Sequence, residues 1–183
     1  MPIPHQFLDA LVCDRRAPEF AEVDDIFGWM IGSWEMDAVV HNAGGHNHEV
    51  KGEMHASWVL EGRAIQDLFI FPRRADRHSG IPLQDDRYGT TIRTYDKKLK
   101  AWRVNFINPA SDETSAQLLA RRNGNCIDMQ GHLSDGTPVR WRYESFTASS
   151  FHYVAEKLQQ DGKSWRLYLE LFGKRSDRLG QAA

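Results

Sequence analysis

The amino-acid sequence predicts an all-β fold, a closed antiparallel up-and-down barrel of about ten strands with one or two short N-terminal helices. Segments of eight to twelve residues with apolar and polar positions in alternation follow one another from residue 34 to residue 174. Short turn sequences separate most of them, and no helical segment lies between them. Because an open meander of this length would leave two unpaired edges, closure into a barrel is favoured over the alternative, a two-sheet sandwich.

Helical spacing is confined to the N-terminus. The apolar residues of 7–12 follow it, and a second helical stretch starts after Pro18, runs to Met30 and ends at Gly32. We expect a single domain in which residues 1–32 form a lid or plug, residues 33–175 form the barrel and residues 176–183 form a tail.

Ten strands are predicted, and the turn dipeptides between them set their limits. Asn123-Gly124 and Asp135-Gly136 are strong hairpin signals. The predicted strands are Trp34–His41, Glu49–Leu60, Arg63–Phe71, Tyr88–Tyr95, Ala101–Asn108, Glu113–Arg121, Cys126–Leu133, Val139–Phe146, Phe151–Leu158 and Trp165–Lys174. Five of the six tryptophans fall inside these strands, which suits a large half-buried pleated surface.

Composition excludes several classes of protein. With 23 Lys and Arg against 25 Asp and Glu, the net charge is −2. A chain this close to neutral has no overall electrostatic attraction to nucleic acid or to an anionic membrane. No apolar run approaches the ~20 residues of a membrane-spanning helix, and the N-terminus lacks a secretory pattern. The two cysteines, Cys13 and Cys126, form no motif, so we expect reduced thiols in a cytoplasmic protein.

A series of Trp and Gly landmarks resembles the calycin superfamily. The landmarks are Gly32-Ser33-Trp34 at the start of the first strand, Trp58-Val59-Leu60-Glu61-Gly62-Arg63, Tyr95-Asp96 before Trp102, and Asp161-Gly162 before Trp165. The series is similar to a bacterial lipocalin-like family of unknown function and, more distantly, to haem-binding nitrobindin barrels. The resemblance implies that the Trp of Gly-x-Trp closes the barrel bottom and that the cup holds a small molecule. Nitrobindin-like haem sites imply an axial His near the final strands, where His152 is the only candidate.

Alternation on the early strands indicates which side chains line the cup. Trp34, Met36, Ala38 and Val40 form one inward set, and the Met54 face of the second strand forms another. The candidate ligand-binding residues are Met54, Trp58, Arg63, Gln66, Asp67, Trp102, Asn105 and Trp141. Arg63, Gln66 and Asp67 are expected at the barrel mouth. Surface positions remain the alternative for Arg63 and Asn105.

The last strands carry aromatic residues on both faces, so their inward face is ambiguous. The candidate catalytic residues there are Arg142, Glu144, Glu156, Tyr168 and Glu170. Inside the cup such a cluster would satisfy its own charges and anchor a carboxylate or polarise a carbonyl. The alternatives are an outer face of cross-strand ion pairs, or a face that packs against a partner subunit, which predicts a homodimer.

The predicted function is the binding of a small, partly apolar organic ligand against Trp and Met walls, with an Arg or Tyr at its polar end. The alternative is a cofactor-free lyase, isomerase or hydrolase that uses a carboxylate with a His or Tyr in the cup. A haem protein through His152 is the third hypothesis. His41, His46, His48 and His55 are close in sequence, but they flank a Gly-rich turn, so we predict neither a metal site nor a cofactor.

Overall fold

Ten antiparallel strands close into a barrel, which confirms the predicted fold class and excludes the sandwich. The structure, a computed structural model, describes residues 5–77, 87–109 and 115–176. The first two positions of the predicted sixth strand and nearly all of the predicted tail lie outside these ranges. In the described part of the chain, no helix has the length and apolar character needed to cross a membrane.

The barrel strands follow chain order, and each pairs with its sequence neighbour. The elements are α1 (His5–Leu11), β1 (Val12–Cys13), β2 (Gly32–His41), β3 (Asn47–Val59), β4 (Ala64–Phe71), β5 (Arg87–Asp96), β6 (Ala101–Ile107), β7 (Ser115–Asn123), β8 (Cys126–Leu133), β9 (Pro138–Phe146), β10 (Ser150–Leu158) and β11 (Trp165–Arg175). Pairing of β11 with β2, from Leu169 opposite Val40 to Arg175 opposite Trp34, closes the ring. Strand β1 adds two residues beside the end of β3.

The predicted second helix is wrong. The chain after Pro18 instead makes two short 3-10 turns, Glu22–Asp24 and Gly28–Met30. Phe27 and Met30 are fully buried in the barrel core, and the Asp25 carboxylate accepts a hydrogen bond from the Gly28 amide at 2.7 Å. Burial of these apolar side chains thus outweighs the helical pattern of the segment.

The segment that contains these turns covers one end of the barrel, which we call the closed end. Trp34 is 1% exposed there, and its Nε1 donates to the Met30 carbonyl at 2.8 Å. The Arg175 guanidinium lies 4.3 Å from the centre of the Trp34 ring and donates to the Trp29 and Ile31 carbonyls. Trp34 therefore closes this end, whereas α1 lies outside it, with Phe7 61% exposed.

Interior glycines leave room for aromatic rings. A Cβ atom on Gly173 would lie 2.0 Å from the Phe151 ring, and one on Gly52 would lie 2.2 Å from the Phe71 ring. Since real Cβ atoms do not approach this closely, these two strand positions need glycine for space.

We expect Gly173→Ala to lower the free energy of unfolding by about 1–3 kcal/mol, because the added methyl group overpacks the ring of Phe151. Gly44→Ala is the control, since nothing lies within 4 Å of a Cβ at that position. Urea unfolding of both variants checks this, and equal midpoints for the two would contradict it.

One pH-dependent contact is expected at the end of the barrel opposite the closed end, which we call the open end. The Arg74 side chain donates to Glu53 at 2.6 Å, and this hydrogen bond lowers the pKa of Glu53 to about 2. Stabilisation from a lowered carboxyl pKa is fully present above the unfolded value of 4.5 and is lost as the pH falls through about 2.

Arg74→Gln should therefore lower the free energy of unfolding at neutral pH, and its deficit relative to the wild type should shrink between roughly pH 4.5 and pH 2. Urea titrations across this range measure the deficit. A deficit that does not change with pH would show that the pair contributes nothing through the Glu53 charge.

Candidate ligand site in the barrel interior

A buried ion pair lies in the apolar interior of the barrel. Alternation along β4 directs Ile65, Asp67 and Phe69 inward, and the same rule directs Arg93 of β5 inward. Asp67 is 0% exposed and Arg93 is 3% exposed. Arg93 Nη1 donates to Asp67 Oδ2 in direct contact. We call these two residues the floor pair.

The floor pair is not fully satisfied by the protein. Asp67 Oδ1 and Arg93 Nε are buried and have no hydrogen-bond partner within the described ranges. A buried polar atom without a partner costs about 1–3 kcal/mol, and native interiors hold few of them. One acceptor and one donor are therefore left without a partner in the interior. Because both residues are almost completely buried, another molecule can reach these two atoms only when side chains above them move aside.

Burial decides the protonation of the groups around the floor pair. It raises the pKa of the Asp67 carboxyl, and the Arg93 guanidinium, together with the buried Thr91 opposite Asp67 on β5, opposes this shift. Burial alone lowers the pKa of Arg93, but Asp67 outweighs it and the net direction is upward, so the guanidinium stays charged. Burial also raises the pKa of Tyr143 to about 12 and that of Tyr153 well above its usual value. Both phenols are thus neutral at physiological pH and can donate hydrogen bonds.

The floor pair lies between the aromatic side chains of the closed end and the open half of the barrel. On the side of the closed end, the Phe27 ring centre lies 5.1 Å from the Arg93 guanidinium carbon. Across the interior, the rings of Tyr143 and Tyr153 lie 5.1 Å apart, and Arg93 is near enough to Tyr143 to oppose the rise in its pKa. Asp67 and Phe27 therefore hold Arg93 from two sides.

Toward the open end, the walls are apolar and become accessible. Trp141 packs edge-on against Phe106 with 5.8 Å between ring centres, and its Nε1 donates to the Tyr168 hydroxyl at 2.7 Å. The half-buried side chains of this inner wall are Val50, Phe69, Phe106, Tyr168 and Leu169. Because they pack on the core and yet contact solvent, the open half of the interior is partly accessible, and we call this part of the interior the cup.

The structure separates the eight predicted ligand-binding residues into three groups. Met54, Asp67 and Trp141 are interior. Trp58 and Trp102 are also interior but meet the N-terminal segment, where Trp102 Nε1 donates to the Asp24 carbonyl at 2.7 Å and Trp58 packs on Phe20. The cup therefore lies beyond these two tryptophans.

The remaining three lie outside the cup. Arg63 is at the closed end, not the mouth, and forms ion pairs with Glu19 at 2.7 Å and Glu61 at 2.6 Å. Gln66 alternates with Asp67 and faces outward, where its amide donates to Thr90. Asn105 alternates with the inward Val104 and Phe106 and also faces outward. The mouth position expected for Arg63, Gln66 and Asp67 is wrong, since Asp67 lies halfway down the barrel.

The sequence left open that the five candidate catalytic residues lie inside the cup. For four of the five, this position is wrong. Arg142 pairs with Asp128 at 2.6 Å, and Glu156 pairs with Arg140, whose Nη2 is 2.9 Å away; all four side chains belong to the outer wall. Glu144 and Glu170 also face outward. The outer-face alternative describes these residues, because the aromatic side chains of β9 and β10 occupy the inner face.

Tyr168 is the exception, and a β-bulge explains it. Ala155 pairs with Leu169 while Glu156 pairs with Leu167, so Tyr168 is the extra residue and turns inward. The register of β11 changes there, which period-two reasoning from the sequence does not detect.

His152 lies on the outer wall, which removes the basis for the haem hypothesis. Its ring stacks on the exposed Phe172 at 4.5 Å, and it contacts Glu170 at 3.2 Å and Glu144 at 3.4 Å. Glu170 also accepts from His41 at 2.8 Å. Within the described ranges, no group of three or more His, Cys, Asp or Glu is arranged to hold a metal ion.

Sequence reasoning missed Arg93, Tyr143 and Tyr153. Each face of β5 carries both polar and apolar residues. The apolar Ile92 suggests that its own face is the core side, whereas that face points outward. The available signal was Asp67 itself, a charge between the inward residues Ile65 and Phe69, which requires an opposite charge on a neighbouring strand.

Comparison with known proteins shows the fold only. No protein-family model and no curated protein matches the chain. Among solved structures, the chain is similar to Rv2717c from M. tuberculosis, with a TM-score of 0.61 and 12% identity over 87% of this chain and all of that one. It is also similar to the S-type phycobiliprotein lyase CPES from Guillardia theta, with a TM-score of 0.55 and 12% identity over 88% of this chain and all of the other. These likenesses show the barrel fold alone.

Removing one member of the floor pair should be far more damaging than removing both. Arg93→Met leaves Asp67 buried without its partner and should cost about 3–5 kcal/mol of unfolding free energy. The free energy of unfolding of the double variant Asp67→Val with Arg93→Met should lie within about 1 kcal/mol of the wild-type value. Urea unfolding measures both, and a single variant as stable as the wild type would mean that the pair is solvated.

Proposed function

We propose that the protein binds a small, partly apolar organic molecule in the cup, with a polar group of that molecule on the floor pair. The observation that carries this proposal is the unpartnered state of Asp67 Oδ1 and Arg93 Nε in an otherwise apolar interior. An atom group with a donor beside an acceptor, such as an amide or a hydroxyl next to a carbonyl, would complete both.

The surroundings of the floor pair suit such a ligand. Small-molecule sites are mostly apolar cavities with a few fixed polar groups, and here Trp141, Phe106 and Phe69 supply the apolar wall. The floor groups are fixed before the ligand arrives, because Arg93 is held by Asp67 and by Phe27. A fixed anchor lowers the entropy cost of binding.

The similarity to a lipocalin-like barrel supports a binding protein. The cofactor-free enzyme of the sequence prediction stays a prediction, as do the homodimer and the cytoplasmic location.

The test compares two tryptophan substitutions on opposite faces of the barrel wall. Val50→Trp fills the cup, whereas Val154→Trp adds the same side chain to the outer wall. A set of small aromatic amides and acids is screened by quenching of tryptophan fluorescence, with native mass spectrometry of the protein as purified. We expect binding by the wild type and by Val154→Trp, and at least a tenfold loss in Val50→Trp.

Binding that survives Val50→Trp, with both variants folded by circular dichroism, would place the ligand outside the cup and overturn the proposal. So would the absence of any ligand in the screen and in the mass spectra.

A further inference from the structure

We infer that the closed end of the barrel docks on the surface of an anionic lipid membrane. The inference does not depend on the ligand proposed for the cup, since it concerns the opposite end of the barrel. Two features of the closed end carry it, a group of cations without ion-pair partners and a set of exposed apolar side chains around them.

Five exposed cations lie on two neighbouring parts of the closed end, the turn between β5 and β6 and the end of β7. They are Lys97, Lys98, Lys100, Arg121 and Arg122. Strands β6 and β7 pair with each other, and Arg121 Nη2 donates to the Leu99 carbonyl at 3.4 Å. The three lysines and the two arginines therefore adjoin and form one positive surface, which we call the basic rim.

Three carboxylates near the basic rim already pair with other arginines. These pairs are Asp96 with Arg103 at 2.8 Å, Asp128 with Arg142 at 2.6 Å and Glu19 with Arg63 at 2.7 Å. Lys97 acts on Glu19 through space, but within the described ranges none of the five cations forms an ion pair. The net charge of −2 is thus an average over a chain with a local excess of positive charge, which attracts anionic surfaces.

Leu99 lies in the middle of the three lysines, and its side chain is 41% exposed. The turn that carries it is fixed, because Asp96 Oδ1 accepts hydrogen bonds from the amides of Lys98 and Leu99 at 2.9 and 3.0 Å. Lys100 follows with a φ of 47°, in the left-handed region. The fold therefore presents an apolar side chain between two lysines at a defined position of the closed end.

Other apolar side chains are exposed at the same end. Val23 is 87% exposed, and the adjacent Asp24 accepts a hydrogen bond from the Tyr95 hydroxyl at 2.7 Å, which places Val23 beside the hairpin of β5 and β6. Leu60, on the turn between β3 and β4, is 51% exposed, and Phe7 of α1 is 61% exposed. Exposed apolar side chains grouped at one end of a protein mark an interaction site.

An anionic membrane surface fits both features at once. Its headgroups attract Lys and Arg side chains, and apolar side chains beside those cations enter the boundary between headgroups and acyl chains. A nucleic acid would engage the basic rim but would leave Leu99 and Val23 in water, since neither can stack on a base. Glu22, beside Val23, forms no ion pair with a described residue and offsets one of the five positive charges. Docking by this end leaves the open end of the barrel directed away from the lipid.

The test measures co-sedimentation of the protein with lipid vesicles of two compositions, phosphatidylcholine alone and equal parts of phosphatidylcholine and phosphatidylglycerol. One variant, Lys98→Gln with Lys100→Gln, removes two charges of the basic rim. Its control, Lys51→Gln with Lys163→Gln, removes two exposed lysines that lie outside the closed end.

A second pair of variants tests the apolar contribution. Leu99→Ser removes the apolar side chain between the two lysines. Its control, Ile107→Ser, changes a 51% exposed apolar residue at the opposite end of β6.

We expect the wild type to bind the vesicles that contain phosphatidylglycerol at least about tenfold more tightly than phosphatidylcholine alone, and to be released by high salt. The double lysine variant should weaken this binding about tenfold. Leu99→Ser should weaken it about threefold or more, because less apolar surface is buried in the lipid. Both controls should bind within about twofold of the wild type.

Equal binding to the two vesicle compositions, or binding to neither, would overturn the inference. With all variants folded by circular dichroism, a lysine variant or a Leu99→Ser variant that binds as tightly as its control would also overturn it. Tighter binding to duplex DNA than to the vesicles, measured by fluorescence anisotropy, would assign the basic rim to nucleic acid instead. None of these results changes the test of the cup with Val50→Trp, so the two proposals can fail separately.

Discussion

Burial of the Asp67–Arg93 ion pair is the constraint on which the interior of this barrel depends. Two opposite charges can be held away from water only in direct contact and with further polar support. Ring closure by β11 and β2 and coverage of one end by the N-terminal segment keep water from that side. The Phe27 ring then lies against the guanidinium on the closed side of the interior.

The same constraint separates the barrel into two halves with different tasks. The closed half is packed with aromatic rings, and Trp34 and Arg175 fasten the N-terminal segment to the strand ends. The open half keeps half-buried Phe69 and Leu169 above a pair that the protein leaves partly unsatisfied. Aromatic packing is thus concentrated at one end, and the partly accessible interior lies at the other. Such a division is common in proteins, since functional sites retain polar groups that a core would exclude.

Period-two alternation and turn residues were enough to predict the barrel and to place the described strand limits within two residues, because each buried face fixes the register of its strand. They failed where tertiary contacts decide. The segment after Pro18 is amphipathic, yet burial of Phe27 and Met30 shapes it into 3-10 turns. The bulge at Tyr168 reverses a face that alternation alone assigns wrongly.

The site was harder to predict than the fold for a related reason. Charged residues on β9 and β11 suggested a polar cup, but cross-strand ion pairs on the outer wall satisfy them there. Asp67 was identified as a ligand-binding candidate, while Arg93 was hidden on a strand with two mixed faces. Two residues that form an ion pair across adjacent strands can be matched from the sequence only when the register of those strands is known.

Nuclear magnetic resonance of the Arg93 Nε–H group tests the central claim most directly. A buried guanidinium exchanges its proton slowly, so its resonance can be followed while 8-anilino-1-naphthalenesulfonate or a bound amide is titrated into the protein, and Arg93→Lys assigns it. Our account predicts that this resonance shifts in step with ligand saturation, while that of Arg175 at the closed end does not. Saturation of the protein with an unchanged Arg93 signal would contradict the assignment of the floor pair as the anchor of the site.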